Sequence, residues 1–219
     1  KLKVTYFHHE QAAAMAAEGY ARVSGRPAVV CVTAGPGGIN ALNGVFGAYT
    51  DSMPMIVISG QCKRATLKRG SNKRQEGDQE VDIVTMAKEI TKAAYIVMRP
   101  EDIRHYIEYA WHEATTGRPG PVWLDIPVDV QGSDITPESL KGFKAARKEY
   151  DSVDVEDIVR RIYEAKRPVL LVGSGVRISG AVESMLRFAC HAKIPVVTTW
   201  TGTDLIASDS PYFCGRAGS

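Results

Sequence analysis

The sequence predicts an α/β protein built on parallel sheets. Three observations carry that reading: short β-branched runs bounded by glycine and proline, helical stretches alternating with them, and the same alternation resuming after a polar interval. Residues 28–33, AVVCVT, lie between Gly25-Arg26-Pro27 and Gly35-Pro36-Gly37 and read as a strand buried on both faces. Residues 55–60, 93–97 and 121–127 repeat the signature. Helices are predicted at 10–22, 39–50, 81–89 and 101–115, which supplies the crossovers a parallel sheet requires. Residues 130–152 have few large apolar side chains and several turn formers, and read as a linker. Beyond them, 154–165 predicts a helix, 168–175 a strand ending in a glycine turn, 181–192 another helix and 195–200 a further strand. The expected organisation is a first domain over 1–129, a linker over 130–152 and the beginning of a second α/β domain over 153–219. The stretch after the linker is too short for a doubly wound sheet covered on both faces, and the first domain enters a helix almost at once. Missing sequence is therefore expected at both ends.

The composition, 44% hydrophobic and 24% charged over 219 residues, is that of a globular chain. Its 27 basic and 25 acidic residues leave a net charge of +2, too balanced for a general nucleic-acid binder. No apolar run approaches the roughly 20 residues a membrane span needs, and the first residues lack a signal peptide's hydrophobic stretch, so a cytoplasmic setting is expected. The cysteines at 31, 62, 190 and 214 form no CxxC pair, which argues against a zinc site or a disulfide framework, and Cys31 is expected to pack as a small hydrophobe. The basic segment CKRATLKRGSNKR at 62–74 has no interleaved aromatics and runs directly into the acidic EGDQEVD. A solvated or subunit-contacting loop is favoured there over a site for an anionic ligand or nucleic acid.

Several residues could carry chemistry. Glu10 opens an alanine-rich helix beside His8 and His9, so it either caps that helix from the surface or is held partly buried with a raised pKa. The turn TAGPGGINAL follows a buried strand, and its Gly35, Gly37 and Gly38 permit tight backbone geometry. Amides exposed there could receive an anion or a ring nitrogen, although the residues by themselves favour a purely structural strand-to-helix turn. It is neither a Walker loop nor a GxGxxG. VGSGVRISG at 172–180 fails the dinucleotide pattern at its third glycine and reads as a tight turn before a nucleotide contact. The five histidines show no HExxH, and Ser59 lacks the GxSxG elbow. Glu18 reads as structural, and Arg104, His105, Glu108 and His112 as an exposed polar helix face.

Taken together, HHEQAAAMAAEGYAR, VVCVTAGPGGINALNGVFGAYTDSMPMIVISG, DQEVDIV, EITKAAYIV and GRPGPVWLDIPVDVQ resemble the N-terminal, pyrimidine-binding domain of thiamine diphosphate-dependent enzymes of the acetohydroxyacid (acetolactate) synthase type. The remainder, RPVLLVGSGVRISGA through IPVVTTWTGTDLIASDSPYFCGRAG, looks like the start of that family's Rossmann-like central domain. The resemblance implies that Glu10 is the catalytic glutamate, bonding the ring nitrogen of the aminopyrimidine, and that Gly35, Pro36, Gly37 and Gly38 line the pyrimidine side of the cofactor pocket. It places the active-site glutamine at Gln79, with Gln75 as the alternative if the loop has shifted. Where family members have Phe-Gln-Glu this chain has Asp78-Gln79-Glu80, which exchanges an aromatic wall for a carboxylate and changes what an anionic keto acid would meet.

The activity implied is decarboxylation of pyruvate and ligation to a second 2-oxo acid, with a simple 2-oxo acid decarboxylase or related lyase as the alternative and a noncatalytic assembly module as a third reading. The implied cofactors are thiamine diphosphate and Mg2+, the metal held by a GDG...N motif in a C-terminal domain absent from this chain, while FAD is left open. The implied partner is a second copy, in a homodimer or homotetramer with active sites shared between subunits. Neither nucleic acid nor membrane is expected. Ala13, Ala14 and Ala17 present a low-relief helix face suited to a partner, or to the chain's own sheet.

Overall fold

The computed structural model describes residues 2–68, 70–146 and 152–218, so that Arg69 of the basic segment and residues 147–151 of the expected linker lie outside it. The chain divides into two compact units, Lys1–Ala146 and Arg147–Ser219.

In the first unit, α1 (Glu10–Ser24) leads into β1 (Ala28–Val32), α2 (Pro36–Thr50) and β2 (Met55–Gln61). After a long loop come α3 (Ile83–Ala87), β3 (Ala93–Ile96), α4 (Ile103–Thr115), β4 (Pro121–Pro127) and the short α5 (Val128–Gln131). The strands form one parallel sheet in the order β1-β2-β4-β3. The register puts Val30, Val57, Trp123 and Ala94 on one face and Val29, Ile56 and Val122 on the other, because side chains alternate along each strand. Ala110 and Ala114 of α4 let that helix settle on Ile56, Val122 and Leu124. Gly38 of α2 and Ile83 of α3 cover Trp123 on the opposite face.

Burial on both faces holds for β4, where all seven residues are buried, but not for β1. β1 pairs only with β2 among the described residues, and α4 lies over β2 and β4. Val29 is therefore 54% exposed, and Cys31 is exposed rather than packed as a core hydrophobe.

α1 and α2 run side by side in the same direction. Glu10 meets Asn40, Gln11 meets Asn43, Ala14 meets Gly44, Glu18 meets Gly47 and Arg22 reaches Asp51, so sequence number rises along both helices together. The approach is close because a β-carbon at Gly44 would stand 2.6 Å from the Ala14 methyl and 2.8 Å from Met15 N. Ala14 and Ala17 are thus buried within their own unit. That contact absorbs the small-residue stripe, which gives no support to a partner face. Glu18 is structural as expected: it accepts from Arg22 at 2.6 Å, and Arg22 also bonds Asp51 just past α2.

α2 begins three residues earlier than expected. Gly35, Pro36, Gly37 and Gly38 read as a loop, but Pro36 occupies the first helical turn, where its missing N–H costs nothing and its fixed φ suits the helix. The segment after α5 is also more engaged than an open linker. Phe143 N donates to Glu108 at 2.7 Å, and the Phe143 ring packs against His105, Tyr109 and His112. Part of the expected polar face of α4 is covered in this way.

The second unit holds α6 (Val155–Glu164), β5 (Leu170–Val172), α7 (Gly175–Ile178), α8 (Val182–Ala192), β6 (Val196–Thr198) and β7 (Phe213–Arg216). The strands form a parallel sheet in the order β5-β6-β7 around a core of Val172, Met185, Ala189, Val196, Leu205 and Ile206. No described helix is long and apolar enough to cross a membrane.

The tight α1–α2 contact yields the first prediction. Gly44→Val should cost about 2 kcal/mol, in the range typical of overpacking, because the added carbons meet backbone that cannot yield. Urea unfolding of the two proteins measures this, and equal midpoints would show that the helices have room to separate.

Candidate active site

The carboxyl ends of parallel strands are where such folds bind ligands, since helix starts and loops converge there. In this chain α1 and α2 both start at the carboxyl end of β1. His9 caps α1, its Nδ1 accepting from Gln11 N at 3.1 Å, so Glu10 is not the cap but the first helical residue. The Glu10 carboxylate accepts from Asn40 Nδ2 at 3.1 Å. Its own backbone N–H, then the Asn40 amide, hold the Glu10 carboxyl below the ordinary carboxylate range, and the opposing push from desolvation is smaller because the group is little buried. The raised pKa weighed from sequence is therefore not found.

Gly37 gives that carboxylate its space. A β-carbon at 37 would lie 2.6 Å from Thr33 Cγ2 and 3.4 Å from Glu10 Oε1. Gly38 turns the other way, toward Ile83 and Trp123, and Pro36 is exposed.

Gly35 meets the loop that carries Gln79. Its φ of 57° and ψ of −113° belong to glycine, and a β-carbon there would stand 2.3 Å from the Gln79 carbonyl oxygen. Gln79 itself has φ 55°, in the left-handed region. Gln79 and Asp78 are both exposed. The structure thus brings Glu10, Gly37 and Asn40 together and sets Gln79 against Gly35. Gln75, the alternative, has its side-chain amide directed back at the turn, where, with the amide turned so that its oxygen faces them, it accepts from Gln79 N and Glu80 N at 2.8 Å.

The basic loop is partly consumed by structure. Arg64 pairs with Asp129 at 2.7 Å and donates to the Met98 carbonyl, and Lys73 pairs with Glu76. Beneath the loop is a pocket of about 370 Å³ whose lining includes Gln61, Lys68, Glu80, Asp82, Thr85 and Asp125.

Sequence reasoning missed Asn40 and the buried polar group under the site. Trp123 Nε1 donates to Ser59 Oγ at 2.8 Å, Ser59 donates to Asp125 at 2.6 Å, and Gln61 Nε2 donates to Asp125 at 2.9 Å and also to the Val81 carbonyl. This chain of bonds ties β2, β4 and the approach to α3 together at the carboxyl edge. A lone acid inside the apolar VWLDIP was the available signal for Asp125. Among the described residues, no group of three or more His, Cys, Asp or Glu side chains could hold a metal ion.

Residues 1–86 match the thiamine pyrophosphate enzyme, N-terminal TPP binding domain, and residues 155–219 match the thiamine pyrophosphate enzyme, central domain. The chain belongs to the thiamine pyrophosphate enzyme family. Among curated relatives it is 39% identical over 218 residues to the probable acetolactate synthase large subunit of Methanocaldococcus jannaschii, covering 96% of this chain and 36% of that protein. It is 39% identical over 211 residues to acetolactate synthase 1, chloroplastic, of Zea mays, covering 94% and 32% respectively. It is 35% identical over 216 residues to the acetolactate synthase large subunit of Haemophilus influenzae, covering 96% and 37%. The chain therefore spans about a third of the length of these family members.

In this family member Asp125 makes a pH prediction. Burial pushes its carboxyl up to about 6 from an ordinary 3.8, the bonds from Ser59 and Gln61 oppose the shift, and the nearby Asp82 charge adds to it. Between the two values the folded chain holds a proton that the unfolded chain has released, so this site's stability contribution falls as pH rises through that window and stays lost above it. The shift corresponds to at most about 3 kcal/mol. Asp125→Asn removes the titration, so wild-type stability should drop relative to the variant between about pH 4 and pH 7. Parallel urea-derived stability curves for the two proteins would refute the assignment.

Proposed function

We propose that the protein to which this chain belongs is a thiamine diphosphate-dependent carboligase of the acetolactate synthase kind, decarboxylating one 2-oxo acid and joining the remainder to a second. The observation that carries the reading is the Glu10 carboxylate, held by Asn40 at the start of α1 and packed close over Gly37. These residues fit an aminopyrimidine: its ring nitrogen needs a carboxylate partner, and Glu10 offers a partly exposed one at the carboxyl end of β1 whose position Asn40 fixes. Bound there, the cofactor supplies a carbon nucleophile and an electron sink for decarboxylation.

Glu10 would hold the pyrimidine ring nitrogen and share its proton, with Asn40 keeping the carboxylate in place. The Gly35-Pro36-Gly37-Gly38 turn forms the wall of the ring's site. Gln79 presents its amide to the substrate, and the neighbouring Asp78 sets a negative charge where an incoming keto acid approaches, biasing the choice of acceptor. In this reading 1–129 is the pyrimidine-binding domain, 130–152 the connection and 153–219 the start of the central domain.

A flavin is part of the proposal for the second unit. The hydroxyls of Thr198 and Thr199, at the end of β6, are buried without a partner, and a β-carbon at Gly173 would meet Thr199 Oγ1 at 3.1 Å. Orphan hydroxyls beside a glycine at the carboxyl edge suit FAD. We place Mg2+ and the diphosphate with another domain of the full-length protein. The working form we propose is a cytoplasmic homodimer or homotetramer with sites shared between subunits, and Met15, Phe46 and Tyr49, 47%, 54% and 40% exposed on α1 and α2, support a partner over that helix pair.

The test supplies full-length protein, thiamine diphosphate and Mg2+ with pyruvate alone, then with 2-oxobutyrate added, and identifies products by NMR. Acetolactate from the first and a mixed acetohydroxy acid from the second are expected. Acetaldehyde as the only product would replace the ligase with a decarboxylase.

A further inference from the structure

We propose that Glu80 is a positioning residue, whose carboxylate ties Lys68 to the 76–80 turn and so holds that turn in the shape that presents Gln79 beside Gly35. Glu80 accepts from Lys68 N at 2.7 Å with one oxygen and from Glu76 N and Gly77 N at 2.9 and 3.3 Å with the other. The carboxylate therefore gathers three backbone amides, one from Lys68 within the basic segment and two from Glu76 and Gly77 just past it. Desolvation pushes its pKa up, but the N–H groups of Lys68, Glu76 and Gly77 outweigh this and hold it below the ordinary value, so the clamp is ionised at neutral pH.

The rest of the loop converges on the same turn. Lys68 Nζ donates to the Arg74 carbonyl at 3.2 Å, and the Gln75 amide, turned to put its oxygen toward the turn, accepts from Gln79 N and Glu80 N. Gly77 is buried so tightly that a β-carbon would lie 2.3 Å from Cys62 Sγ. Gln79 keeps its left-handed backbone, which an unbranched L-residue adopts only at a cost, while its carbonyl presses on Gly35. Without the carboxylate the amides of Lys68, Glu76 and Gly77 lose a charged acceptor, and the turn loses what opposes its relaxation.

The catalytic part of this inference rests on the carboligase reading, whereas the clamp does not. Two measurements on the full-length protein separate them. Limited trypsin cleavage after Lys68, Lys73 and Arg74 should be about tenfold faster in Glu80→Ala, with Glu80→Gln intermediate because its amide keeps one acceptor oxygen. A double-mutant cycle reads the coupling to Gln79: Glu80→Ala should lower kcat/KM about tenfold with Gln79 present and less than about twofold in a Gln79→Ala background. Unchanged cleavage, or equal losses in both backgrounds, overturns the proposal. If Glu80→Ala does not fold, Glu80→Gln takes its place in both measurements. Wild-type protein without ligation activity would sink the functional reading alone, and the cleavage rates would still decide the clamp.

Discussion

The site depends on how closely α1 lies against α2. Glu10 and the glycine turn are separated by a helix and a strand in sequence, and they meet because two parallel helices start at the same edge and touch along their length. Gly44 against Ala14 sets the distance, the Arg22 ion pairs with Glu18 and Asp51 fix the far ends, and Asn40 reaches Glu10 at the near ends. A larger residue at 44 would spread the helices and lengthen the Asn40 bond. Helix packing and carboxylate placement are thus one constraint.

A second constraint comes from beneath. Asp125 is buried at the end of β4 with Ser59 and Gln61 of β2, and Gln61 also holds the Val81 carbonyl on the way to α3. Keeping a carboxylate there costs stability at neutral pH, as its raised pKa shows. In return the strand ends and the loop before α3 are tied by directional bonds that apolar contacts would not supply. The Gln79 turn rises from this base and leans on Gly35, so the glutamine loop and the glycine turn constrain each other.

Much of the fold was legible in sequence because the strands are apolar runs with sharp glycine and proline borders. The parts that were not legible depended on position in the sheet or on distant partners. β1 reads as buried on both faces, but among the described residues it pairs with β2 alone and its far face is left uncovered. β7, with Gly215 at φ 122° inside FCGR, carries no strand signature and exists through its pairing with β6. The start of α2 was hidden because Pro36 and two glycines suggest a turn until the helix is seen to use Pro36 in its first turn. For the site, Glu10, the glycine turn and Gln79 came from the family resemblance, since local spacing left Glu10 open between a surface cap and a buried acid. Asn40 was invisible because its meaning lies in a contact 30 residues away. The role of Glu80 was invisible for a similar reason, since its backbone partners span Lys68 to Gly77.

The central claim is that Glu10, placed by α1 and α2, moves the proton that activates the cofactor. The most direct measurement is hydrogen–deuterium exchange at C2 of thiamine diphosphate bound to the full-length protein and to its Glu10→Gln variant, followed by NMR with cofactor binding measured in parallel. The account predicts that the variant still binds cofactor and exchanges at least about a hundredfold more slowly, because the amide cannot relay the proton. Exchange at the wild-type rate in a cofactor-loaded Glu10→Gln protein would contradict it.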